Sequence, residues 1–427
     1  MVDIRFIRDN PKIVKAACEN KGHSPKVVEN LLKQDEVRLD LLRKVESLKA
    51  ERNKLNDELK KERTETLMKQ AKDLKKKLQD LEPTLRQADK TFHELMLQIP
   101  NVPFKEVPIG KDEKGNKKMR TWGKKLKFDF TPKTHVELGT DLDLFDIERG
   151  VKVAGFKGYF LKNDGVMLTL AIMRLGLDKL ISKGYTPMIP PIINRRAILV
   201  NSGLLPWGES EGYKLTKDET DSENDYFLAG TAEVPLVSYH AGEVLKEKDL
   251  PLKFVGFSPC YRRGIGNYGK DTKGIYRVHE FMKVEQVVIC KADDDESRKM
   301  HEQMLDYTEE IHQDLELHYR VMLMCTGDMG EPQAKKYDIE TWMPGRNGYG
   351  ETASDSIVTD FQSRRANIRY QTKNGLKFVH MLNNTVAPST RLLIAILETH
   401  QQKDGSIKIP KALVPYFGKK VIEPKKK

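Results

Sequence analysis

The chain has 427 residues, more than one typical domain and enough to bury a sizeable core. Lys and Arg number 74 against 63 for Asp and Glu, a net charge of +11 that suits a polyanionic partner such as RNA, although a basic balance alone discriminates weakly. Cys18, Cys260, Cys290 and Cys325 make no CxxC pair or zinc-spaced cluster, and no run approaches ~20 apolar residues, which sets aside a disulfide scaffold, a zinc module and a membrane span.

The opening MVDIRFIRDNPK has no apolar stretch of signal length, so a reduced, cytoplasmic protein is expected. Asn10 and Pro11 read as the cap and first turn of a helix continuing into IVKAACEN. From about Pro25 to Ile99 there is no Gly and one internal proline, Pro83. A heptad register runs through Leu67, Ala71, Leu74, Leu78, Leu81, Leu85, Ala88, Phe92, Leu95 and Ile99, and an earlier seam through Leu41, Val45, Leu48, Leu55 and Leu59, with Arg52 intruding in phase. Two seams separated by the polar segment Lys60 to Glu65 predict an antiparallel coiled-coil hairpin whose helices each rise roughly 50 Å, so that the arm projects beyond any globular body. Pro83 predicts a kink or break, because it removes a helical hydrogen bond. Such an arm serves either as a dimerisation device or spacer, or as a surface whose Lys69, Lys72, Lys75, Lys76, Lys77 and Arg86 meet phosphates; the arm by itself does not decide.

Ile99 to Pro108 is punctuated by proline, and the chain stays polar and turn-rich to Lys127, which divides it into an arm at 1–102 and a second domain at 103–427. The second domain predicts a helix at Gly165 to Lys183 and strands at Met188 to Asn194, Lys253 to Tyr261, Tyr276 to Ile289, Ser354 to Phe361 and Phe378 to Leu382. The expected class is α+β, an antiparallel sheet flanked by helices.

Phe254 to Glu285 is the centre of this domain, two strands joined by a basic, glycine-rich loop at Gly264 to Gly274 that is built to move. Alternation puts Arg277, His279, Phe281, Lys283 and Glu285 on one face, and Tyr276, Val278, Met282 and Val284 on the other, with Glu280 as an exception. A solvated hairpin face would account for the charges, but Phe281 gains nothing from water and offers a surface for a planar base. Arg262, Arg263, Lys270 and Lys273 flank it with the cations a triphosphate requires. The glycines also spell GxGxxG and nearly a P-loop, yet both motifs need a helix to follow and here a strand pattern does; both are rejected.

These residues resemble the seryl-tRNA synthetases, a family of class II aminoacyl-tRNA synthetases, over nearly the whole chain. Phe254 to Glu285 resembles motif 2, GYTPMIPPIIN with Pro190 the dimer-forming motif 1, and TAEVPL at Thr231 to Leu236 the substrate loop. ETAS at Glu351 to Ser354, TDFQSRR at Thr359 to Arg365, and NNTVAPSTRLLIAILETHQQKDGSIKIP from Asn383 resemble the C-terminal signatures and motif 3. The resemblance implies a tRNA-binding arm before a class II catalytic domain, and a homodimer that activates L-serine with ATP and Mg2+ and transfers it to tRNA(Ser), with tRNA(Sec) left open.

It further implies that Arg262 and Arg391 are catalytic, neutralising phosphate charge. Arg262, Arg263, Gly264, Val278, Phe281, Glu351, Thr352, Ala353, Ser354 and Arg391 would bind ATP, with Glu351 and Ser354 meeting its magnesium. Simple alternation would put those two on opposite faces, so a bulge or bend is expected between them, or only one direct contact. Thr231, Ala232, Glu233, Arg262, Glu285, Asn383 and Thr385 would bind serine, Glu285 through the ammonium and Thr385 through the hydroxyl. Where motif 2 carries glutamate this chain has Gly264, and Asp355, Ile357 and Val358 also depart from the usual residues. The glycine leaves an impaired paralogue with an RNA-binding or regulatory role as the alternative, and implies that restoring Glu at 264 would raise serine-dependent activity by on the order of tenfold or more.

Overall fold

The computed structural model describes residues 1–216, 225–264 and 274–424, which fall into two compact units, Met1–Val102 and Pro103–Lys427. The glycine-rich loop expected between Gly264 and Gly274, with Lys270 and Lys273, lies outside the described residues.

In the first unit, α1 (Ile4–Asp9) and α2 (Pro11–Asn20, with Pro11 in its first turn) precede two long helices, α3 (Lys26–Lys61) and α4 (Glu65–Leu97). The turn between them ends at Thr64, whose hydroxyl accepts from the Leu67 amide and caps α4. The helices run antiparallel: Gln34 donates to the Ala88 carbonyl, and Lys49 pairs with Glu82. Val45 and Leu55 on α3 and Leu74, Leu78 and Ala88 on α4 are buried, so the seam read from the heptads is the packed one. Pro83 sits inside α4 without ending it, because one lost hydrogen bond is a small fraction of those that hold a helix of 33 residues.

The second unit is built on an eight-stranded sheet. Its strands are β1 (Lys117–Trp122), β2 (Thr186–Met188), β3 (Leu252–Tyr261), β4 (Glu280–Cys290), β5 (Tyr319–Leu323), β6 (Lys335–Met343), β7 (Gly348–Thr359) and β8 (His380–Pro388). They lie in the order β1-β5-β6-β7-β8-β4-β3-β2, every neighbouring pair antiparallel except β2 with β3. Helices α5 (Asn163–Ser182), α6 (Asp294–Asp314) and α7 (Ser389–His400) pack on the sheet. Leu392, Leu393, Ala395, Ile396 and Leu397 of α7 are fully buried, as its near-continuous apolar run requires. This is the expected α+β class.

Several boundaries differ from expectation. The strand expected from Tyr276 starts at Glu280, opposite Tyr261, so Tyr276 to His279 lie before the ladder and alternation does not govern their side chains. Pro190 and Pro191 split the strand expected at Met188 to Asn194 into Thr186–Met188 and Ile193–Arg195. Phe361 starts a short helix, Phe361–Ala366, instead of closing β7. No helix among the described residues is long and apolar enough to cross a membrane.

Candidate functional site

Cross-strand pairing sets Gly256, Glu285, Thr385, Ser354 and Asp338 in one row across β3, β4, β8, β7 and β6, and residues so paired share a face of the sheet. Gly256 has no side chain because the segment carrying Thr231 and Glu233 crosses there: a Cβ would stand 2.8 Å from that of Ala232. Ala232 itself is buried in an apolar cluster with Leu236, Phe254 and Val287, so its side chain packs rather than binds.

Lys283 is the hub of the buried polar groups. Its ammonium lies 2.5 Å from Glu285 Oε2 and donates to Thr231 Oγ1 at 2.6 Å and Thr385 Oγ1 at 3.3 Å, while Thr385 donates to Glu285 Oε2 at 3.2 Å. Glu233 Oε1 accepts from Gln362 at 2.8 Å and Asn383 at 2.9 Å. Burial, then the nearby Glu285 charge, push the Glu233 carboxyl up to about 7.

Lys283 also lines a cavity of about 170 Å3 with Arg262, Gly264, Tyr276, Val278, Phe281, Glu351, Thr385 and Arg391. Arg262 is steered by a hydrogen bond from Nε to the Gly230 carbonyl at 2.9 Å and sits 5.6 Å from the Phe281 ring centre. Arg391 Nη1 is 3.1 Å from both Glu351 Oε1 and the Glu351 carbonyl, with its guanidinium 4.9 Å from the Tyr276 ring. Burial alone would raise the Glu351 carboxyl, but Arg391, Lys336 and Arg262 outweigh it and hold the group below its ordinary value. A larger cavity of about 960 Å3, bordered by His135, Glu398 and Arg346, shares only Tyr276 with this one; the smaller gathers the cations and the aromatic, so the chemistry belongs there.

The ladder between β6 and β7 slips between Ile339 opposite Ala353 and Glu340 opposite Glu351, so Thr352 is the extra residue of a bulge. That is the irregularity expected between Glu351 and Ser354, and it turns both toward one face. Thr352 and Ala353 point the other way: Thr352 bonds to Thr341 at 2.6 Å and His312 at 2.8 Å, and Ala353 is buried beside Ile339. Their side chains are therefore not brought to the cavity, and Ser354 does not border it. Arg263 does not border it either; its amide donates to the Glu211 carbonyl at 3.0 Å.

Gly264 has φ +61°, a left-handed backbone that a glutamate would adopt at a cost of about 1 kcal/mol. Its amide already donates to the Glu211 carboxylate at 3.0 Å. A Cβ there would stand 2.8 Å from Lys157 Nζ, so a glutamate meets both backbone strain and a crowded ammonium that must move aside. Sequence reading also passed over Glu211, Tyr276, Gln362 and Asp338 as site residues. Lys283 had a signal, its place between Phe281 and Glu285 on the charged face, and so had Gln362, inside TDFQSRR; Glu211 had none, since it arrives from a distant segment.

The description "Seryl-tRNA synthetase N-terminal domain" matches residues 1–103, and "tRNA synthetase class II core domain (G, H, P, S and T)" matches residues 213–400. The serine–tRNA ligase of Dictyoglomus thermophilum is 44% identical over 433 residues, covering 100% of both chains. The crystal structure of seryl-tRNA synthetase from Pyrococcus horikoshii complexed with ATP superposes with a TM-score of 0.92 at 39% identity, covering 100% of both chains. The cytoplasmic serine–tRNA ligase of Naegleria fowleri in complex with AMP gives 0.88 at 30% identity, covering 100% of this chain and 99% of that one.

Proposed function

The chain belongs to the seryl-tRNA synthetase family, and on that premise we propose that it activates L-serine with ATP and transfers the seryl group to the 3′ end of tRNA(Ser). The observation that carries this reading is the Lys283, Glu285, Thr385 and Thr231 network set beside the Arg262, Phe281 and Arg391 cavity. A serine carboxylate oxygen attacks the α-phosphorus, and the bond to pyrophosphate breaks as the new P–O bond forms. This step asks for positioning and charge neutralisation more than for an acid or base. Arg262 and Arg391 supply the neutralising charge, and Phe281 the stacking surface. Glu285 shares its charge between Lys283 and the substrate ammonium, and Thr385 meets the serine hydroxyl. Alanine and glycine lack the hydroxyl and leave Thr385 with an unmet hydrogen bond, which discriminates strongly.

For magnesium, Asp338 Oδ1 is buried without a hydrogen-bond partner among the described residues, and Asp338 pairs across the ladder with Ser354. Carboxylate oxygens near phosphate fit the ion, so Glu351, Ser354 and Asp338 would hold it. Bound there, it would neutralise phosphate charge. We place the arm against tRNA and the protein in the cytoplasm as a homodimer.

The test is ATP–pyrophosphate exchange with a panel of amino acids. Exchange should depend on serine and fall to background with alanine, glycine and threonine; equal exchange with all four would count against the reading.

A further inference from the structure

Arg391 stands in the first turn of α7 and has to present its charge to phosphate, yet the cavity it borders is crowded with its own sign. Lys157, Arg262, Arg277 and Lys283 line the same space, against the carboxylates of Glu211 and Glu351. Like charges drive a long, loosely held side chain away from such a place. The carboxylate that pairs with Arg391 is Glu351, at 3.1 Å, and Glu351 is also among the groups suited to magnesium. An arginine held only by a carboxylate that a cation competes for is poorly aimed.

Tyr276 holds it in a different way. Its ring centre lies 4.9 Å from the Arg391 guanidinium and 4.7 Å from that of Arg346. The negative face of an aromatic ring attracts a guanidinium without cancelling its charge, as a carboxylate would. The full charge of Arg391 stays available to phosphate.

The ring is itself fixed from several elements. Tyr276 is 7% exposed. On β7, Gly350 makes room for it, since a Cβ there would stand 2.9 Å from Cε2 and 3.0 Å from the hydroxyl oxygen, and the next residue is Glu351. The Arg346 amide donates to Glu398 Oε2 at 3.1 Å, and the Glu398 side chain is fully buried on α7, about two turns beyond Arg391. One helix therefore reaches the ring by two routes, directly through Arg391 and through Glu398 and Arg346.

We propose that Tyr276 is a positioning residue for ATP, its ring aiming the Arg391 guanidinium into the cavity so that the phosphates meet a cation already in place. The inference rests on the ATP-dependent reading above.

Equilibrium binding of ATP to the full chain tests it, together with the KM values for ATP and serine in pyrophosphate exchange. Tyr276→Phe keeps the ring and should bind ATP within about twofold of wild type. Tyr276→Leu keeps apolar bulk without the ring; it should weaken ATP binding by about tenfold, the size of a desolvated cation–π contact, and raise the KM for ATP while that for serine stays within about twofold. Arg391→Met should weaken binding at least as much, and Tyr276→Leu should then add nothing, because it acts through that arginine. Gly350→Ala displaces the ring without deleting it and should reproduce the loss even if Tyr276→Leu fails to fold. Unchanged ATP affinity in Tyr276→Leu or Gly350→Ala, an equal loss in Tyr276→Phe, a full Tyr276→Leu penalty beside Arg391→Met, or an equal rise in the KM for serine would overturn the proposal and leave Tyr276 as packing. A wild type that binds ATP but shows no serine-dependent exchange would instead overturn the functional reading, with Tyr276 still tested by binding.

Discussion

Lys283 Nζ lies 2.5 Å from Glu285 Oε2, and neither side chain is more than 3% exposed. Breaking such a buried pair from one side leaves a charge with no water to receive it.

Lys283→Met should therefore destabilise the protein by about 3–5 kcal/mol and abolish serine-dependent exchange, because Glu285, Thr231 and Thr385 lose their common partner. Urea unfolding followed alongside exchange checks both effects. Unchanged stability would mean that water reaches Glu285 and that the network is not the dry cluster described.

Glu233 gives a pH dependence with a definite sign. Its carboxyl is raised from 4.5 to about 7 in the folded state, first by burial and then by Glu285. Below about pH 4.5 both states hold the proton, and between there and pH 7 only the folded state does. Its stabilising contribution is thus present in acid and is lost as pH rises through that window. At roughly 1.4 kcal/mol per pH unit the loss reaches up to about 3 kcal/mol. Glu233→Gln keeps acceptors for Gln362 and Asn383 and should lose that slope. Asp338, also raised to about 7, mainly by burial, contributes equally to both proteins. Urea midpoints at pH 5 and pH 8 should converge at the lower value and diverge at the higher.

The arm tests the division of labour. Lys72, Lys75 and Lys76 are exposed on α4. Changing all three to Glu should cut tRNA charging by about tenfold or more and flatten its salt dependence, since fewer counterions are released on binding. Amino-acid activation should stay within about twofold, and an equal fall in exchange would put the arm in the chemistry instead.

Assembly can be read from β2, which forms one edge of the sheet. Ile189 just beyond it is 82% exposed, and Ile181, Pro187, Met188 and Phe257 line a groove with it. An edge strand beside an apolar groove is a surface that asks for cover. Light scattering should give twice the mass of one 49.0 kDa chain, and Ile189→Asp should shift it toward one. A single-chain mass for wild type at micromolar concentration would remove the dimer from the proposal.

Much of this was legible because its causes are local. Heptads gave the arm, since a buried seam must repeat with the helix; short apolar and aromatic runs gave β3 and most of β4, which is buried on both faces from Lys283 to Cys290. The limits have physical causes too. Tyr276 and Val278 were assigned to the packed face of a strand, but they lie before the ladder begins at Glu280, where the period of two does not hold, and both border the cavity. Gly264 read as a deficit because a side chain was sought at that position, whereas the carboxylate beside it belongs to Glu211. Long-range contacts of this kind leave no periodic trace.

The bulge at Thr352 has a further consequence in its anchor. His312 Nδ1 is bound to the Thr308 carbonyl at 2.8 Å, so Nδ1 carries the hydrogen and Nε2 receives the Thr352 hydroxyl. Burial lowers this imidazole to about 4, and it stays uncharged throughout the neutral range. The fastener behind the spacing of Glu351 and Ser354 is thus deaf to acidity: as pH falls from 8 to 5 the Glu233 and Asp338 carboxyls take up protons while the backbone that aims Glu351 and Ser354 stays set.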